Sequence, residues 1–149
     1  MVCSQIKFRE IVFQLLFGES QNPGQSIKQN FSMMDQYIVS RKTLYRAEEQ
    51  AFSIISHLEE IDNIITMYSN NYDLSRITLV EKTVLRLAIY EIIYESLIPP
   101  KVSISEAIRI NSRYGAVSGS TFVNGILDSF CQSRSYICPS KIESKLINH

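Results

Sequence analysis

Side chains able to make or break bonds are few in this chain and poorly spaced. His57 and His149 have no second ligand at metal spacing, and Cys3, Cys131 and Cys138 form no CxxC pair. A metal site would lack ligands. No Cys or Ser has a plausible His partner, and neither a glycine-rich phosphate loop nor a GxSxG turn is present. Glu91 and Glu95 lie one helical turn apart and could work as an acid/base pair, yet a solvated helix face explains them more simply. The inventory predicts a protein that is not an enzyme and needs neither metal nor cofactor.

Recognition chemistry is better supplied, chiefly near the N-terminus. At 100° per residue, Phe8, Ile11, Val12, Leu15 and Leu16 share one broad arc that suits a core. Ile6, Phe13 and Phe17 gather on the far side beside Arg9, with Lys7 close in sequence. Such a strip either packs under another helix or the C-terminal tail, or serves as a partner face or base-stacking platform. Charge adds a modest asymmetry: residues 101 to 149 carry six basic against three acidic residues, leaving +3 there and −3 in the first hundred. Solvated helix faces account for most of it.

The elements that must position these residues read as helices almost throughout. With 149 residues, 45% of them hydrophobic, and only 5 Gly and 4 Pro, the chain suits one all-α domain. Capping boxes are expected at Ser26 with Gln29, Thr78 with Glu81, and Ser103 with Glu106. Ile27, Phe31, Met34 and Ile38 form one apolar stripe. Leu44, Ala47, Ala51, Ile54, Leu58, Ile61, Ile65 and Tyr68 form another, read as a helix over about 43–69. LVEKTVLRLAIYEIIYE is apolar over more than half its circumference, which predicts a central post ending before Pro99 and Pro100. A helix over about 104–114 should stop at Gly115 in a left-handed cap. Another follows over about 121–131, where Gly125 suggests a neighbour passing close. Expected are about seven helices in two subgroups, residues 1–70 and 74–132, with a weakly ordered tail over 133–149. Short apolar runs and an odd cysteine count predict no membrane span and a reducing cytoplasm.

Three blocks carry a family resemblance: LVEKTVLRLAIYE at 79–91, IPPKVSISEAIRINSRYGA at 98–116 and FVNGILD at 122–128. In order, spacing and helix boundaries they resemble the NusB family of bacterial transcription antitermination factors. The N-terminal half matches in outline, through REIVFQLLF at 9–17 and two amphipathic helices.

The resemblance implies a compact NusB-like helical bundle that binds boxA RNA together with NusE, a ribosomal protein of the small subunit, and serves a transcription elongation complex. It implies an RNA surface from Lys7, Arg9, Phe17, Arg113, Ser118, Phe122 and Asn124, and a partner surface from Phe13, Phe17, Glu81 and Phe122. The family's arginine-rich first helix is reduced here to Lys7 and Arg9, which should lower intrinsic RNA affinity and its salt dependence. A neutral Ser118, where relatives can carry an acid, should repel phosphate less. The alternative is a protein-only scaffold or homodimer on the same fold, joined through Ile6, Phe13 and Phe17. NusB-like domains also precede RNA cytosine methyltransferase domains, for which 149 residues leave no space.

Overall fold

A computed structural model describes residues 4–23, 40–70 and 73–137. Among them lie six α-helices and one 3-10 turn, with no strand: α1 Gln5–Gln21, α2 Arg41–Ser56, α3 Leu58–Tyr68, the turn Leu74–Arg76, α4 Leu79–Tyr94, α5 Pro100–Tyr114 and α6 Gly119–Ile137. The all-α class stands. The stripe from Ile27 to Ile38 and the box at Ser26 and Gln29 lie outside the described residues.

Local chemistry sets most helix starts. Ser4, Ser40 and Thr78 each accept, through the side-chain oxygen, from the backbone N–H three residues on. That satisfies one of the four amides a helix start leaves open. The third box fails. Pro100 opens α5 at a position where its missing N–H costs nothing, so Ser103 lies inside the helix and is buried.

α4 is the central post. Thr83 to Leu85 and Leu87 to Ile92 are buried, and the helix packs against every other α-helix described. Several sequence expectations are corrected around it. The run over 43–69 is two helices, broken at His57, whose Nδ1 lies 2.7 Å from the Ser53 carbonyl and whose ring stands 4.7 Å from that of Tyr94. His57 is therefore half-buried in an aromatic corner. Gly115 is extended, at φ −123°, not left-handed. A side chain at Gly125 would meet nothing within 4 Å, so no helix passes close there. α6 continues through residues 133–137, which the sequence assigned to a tail; residues 138–149 are not described.

Candidate nucleic-acid and partner interface

The first helix presents less to solvent than its sequence suggests. Phe13 is 1% exposed, its ring 5.1 Å from Tyr114 of α5 and 5.7 Å from Phe17. Phe17 is half-buried against the core. Of the proposed strip only Ile6 is open, at 51%. Tyr114 of α5 covers Phe13, which removes the centre of the face on which a homodimer through Ile6, Phe13 and Phe17 depended.

Arg9 is also inside, 4% exposed. Its Nε donates to both Glu91 carboxylate oxygens, at 3.0 and 2.8 Å, and Ser103 Oγ donates to Glu91 Oε1 at 2.8 Å. Glu91 is 2% exposed, which corrects its reading as part of a solvated face. Arg9 Nη1 also lies 3.6 Å from Glu106, which Arg109 grips from Nε at 3.0 Å and Nη2 at 3.1 Å. Those bonds to Glu106 hold the Arg109 guanidinium above its ordinary range. Arg109 in turn reaches Glu10, where Arg113 and the Tyr114 hydroxyl converge. Three guanidiniums and three carboxylates thus tie α1 to α4 and α5.

This network corrects two assignments. Arg9 cannot meet a phosphate from inside the core, and Arg113, though exposed, spends a donor on Glu10. Lys7 is half-buried and has no ion-pair partner among the described residues.

A second constellation is open. Arg76, Ile77, Thr78, Glu81, Ser118, Gly119 and Phe122 line a groove of about 320 Å³ where the first turn of α4 meets the start of α6. The structure brings Glu81, Ser118 and Phe122 together here from positions up to forty-one residues apart. Arg76 is the cation that sequence reasoning missed; its signal is a single basic residue in SNNYDLSRIT. Asn124 sits elsewhere, in a hollow with Lys101, Ile104, Ser105, Ile108 and Asp128.

Glu81 is separable from its capping duty. The cap bond uses its backbone N–H, and among the described residues its carboxylate makes no hydrogen bond. Instead it lies across Gly119, where an added Cβ would stand 2.4 Å from Oε2. Gly119→Ala should therefore swing the Glu81 carboxylate aside, a cheap move for a flexible chain end. We expect thermal stability to change by less than about 1 kcal/mol, since Ala replaces Gly near a helix start. Ligand binding in the groove should change much more. A melting curve beside a binding titration checks both.

The same architecture recurs in known proteins. A model of the NusB family matches residues 6–132. The chain is 35% identical to the transcription antitermination protein NusB of Pseudothermotoga lettingae, over 85% of this chain and 90% of that protein. It is 38% identical to the protein of the same name from Desulfitobacterium hafniense, over 84% of this chain and 86% of the other. Among solved structures it is similar to T. maritima NusB, with a TM-score of 0.79 at 33% identity, covering 89% of this chain and 93% of that one. A chain from a crystal structure of the antitermination factors NusB and NusE with double-stranded RNA shares the fold at a TM-score of 0.72 and 23% identity, covering 85% of this chain and 94% of that one.

Proposed function

This chain belongs to the NusB family, and on that premise we propose that it is a transcription antitermination factor that binds boxA RNA jointly with the ribosomal protein NusE. The observation that carries the reading is the groove in which Glu81, Ser118 and Phe122 converge beside Arg76. A relative of this fold is seen with NusE and RNA, which supports the assignment of partners. Work on nascent transcripts sets the place of action in the cytoplasm, and among the described residues no helix is long and apolar enough to cross a membrane.

Mechanistically, the chain acts through surface recognition. Its net charge is zero, and Arg9, Arg109 and Arg113 are engaged by carboxylates. Among the residues assigned to the two surfaces, the cations left without a carboxylate partner among the described residues are Lys7 and Arg76. A basic partner adds the missing charge, while the chain adds shape, an aromatic edge at Phe122 and polar groups for unpaired bases. Two weak surfaces joined in one complex then bind as one.

Titrating labelled boxA RNA with this protein, with NusE and with both tests the reading. We expect the pair to bind at least about tenfold tighter than either protein alone, the ordinary consequence of linked binding surfaces. This protein alone should show a shallow salt slope, near −1.4 for about two phosphate contacts on a single strand. Equal affinity with and without NusE would overturn the joint-binding reading.

A further inference from the structure

The wall of the groove formed by α6 is held by a side chain that does not line it. Asn111, in the last turn of α5, is fully buried. Its Nδ2 donates at 3.2 Å to the carbonyl of Ala116 and at 3.2 Å to Oγ of Ser120. The Gly115 amide donates to the Asn111 carbonyl at 2.7 Å. Ser112, the next residue of α5, brings its Oγ to 3.2 Å from the same Ser120 oxygen. One end of α5 thus grips the connection to α6 before and after Val117, Ser118 and Gly119, and the last two of these line the groove.

The same side chain leaves one atom unpaid. Asn111 Oδ1 is buried with no hydrogen-bond partner among the described residues, and an unsatisfied buried acceptor is destabilising. An apolar residue of similar volume would fill the site without that cost but could not donate. Room for rearrangement is small, because a Cβ on Gly115 would stand 2.9 Å from Val80 Cγ1 and 3.0 Å from Asn111 Oδ1. The donated bonds are what asparagine adds here: one ends on the connection and the other on the first turn of α6.

We infer that Asn111 is a positioning residue for the groove, its two donated hydrogen bonds holding residues 116–120 so that Ser118, Gly119 and Phe122 face Glu81. The inference rests on the proposed joint binding and takes the groove, where Glu81 and Phe122 of the expected partner surface meet, as the NusE surface. It adds a residue that touches no ligand but sets the shape a ligand meets.

The test uses the full chain with Asn111→Leu, Ser120→Ala and the double variant, plus Phe122→Ala as a direct groove variant. Three quantities are read: amide hydrogen exchange along the chain, thermal melting and affinity for NusE. In Asn111→Leu, exchange at 116–120 should rise while amides of α1 and α4 keep their protection. Affinity should fall about tenfold, as expected when two net hydrogen bonds no longer organise the site. Ser120→Ala should lose about threefold, and the double variant should lose less than the product of the two single losses, since the two residues share one bond while Ser112 also holds Ser120. Melting should move little, because the orphaned oxygen leaves with the donors. Unchanged exchange at 116–120 overturns the inference. So does raised exchange with intact affinity while Phe122→Ala binds poorly. If neither Phe122→Ala nor Asn111→Leu weakens binding, the groove is not the partner surface, and the positioning role falls with that reading. Should Asn111→Leu fail to fold, Ser120→Ala must by itself raise local exchange and cost affinity, or the inference is overturned.

Discussion

Arg9→Ala is expected to destabilise the fold by about 3–5 kcal/mol, the range for removing one partner of a buried ion pair. The effect arises from what remains. Glu91, 2% exposed, would keep only the Ser103 hydroxyl as a donor, and a buried carboxylate without a cation is costly. For a chain of this length the melting temperature should drop by roughly 10 °C. Replacing both partners with apolar residues, Arg9→Met with Glu91→Leu, should cost less than Arg9→Ala alone, because no charge is left stranded. Denaturant titrations of the parent and both variants check this. Had Arg9 been a phosphate contact, Arg9→Ala would melt like the parent and lose only RNA affinity; that result would refute the buried pair.

The contrast between α4 and Arg9 shows what periodicity carries. α4 was legible because Thr78 caps it and its apolar residues cover more than half its circumference, so its central place followed from the chain alone. The same observation already bore on Glu91, which stands three, four and seven residues after Ala88, Leu87 and Val84 and so falls on the apolar arc. Its partner lies 82 residues away, and no local pattern names it. Phe13 failed for a related reason: projecting α1 onto two faces assumes one is wet, whereas α5 covers the second through Tyr114. At Ser103 two start signals competed, and Pro100 won because its ring sets the helical φ at the first position. That freed the serine to donate to Glu91. The groove was only partly readable. Glu81, Ser118 and Phe122 came from the resemblance, whereas Arg76 and Asn111 carry no motif and acquire meaning only once α4, α5 and α6 are in place.

Glu81→Lys should weaken NusE binding by about thirtyfold or more, near 2 kcal/mol, the lower end of what close interfacial charge pairs contribute. Three features put the effect at the interface. The cap bond to Thr78 comes from the backbone amide and survives the change. The carboxylate has no hydrogen bond among the described residues to lose, so the variant should melt close to the parent. The side chain lies against Gly119 at the start of α6, where the helix dipole favours an anion and opposes a cation. A lysine would leave that position and place its charge, together with Arg76, in the groove proposed to receive the basic partner. Repulsion should then appear mainly as slower association that added salt partly restores. Binding kinetics at two salt concentrations, with the variant and with Glu81→Gln as a neutral control, separate the outcomes. A Glu81→Gln loss smaller than that of Glu81→Lys, with salt rescue only for the latter, is the expected pattern. Equal NusE binding by all three proteins would move the partner surface away from this groove, and with it the role of Gly119.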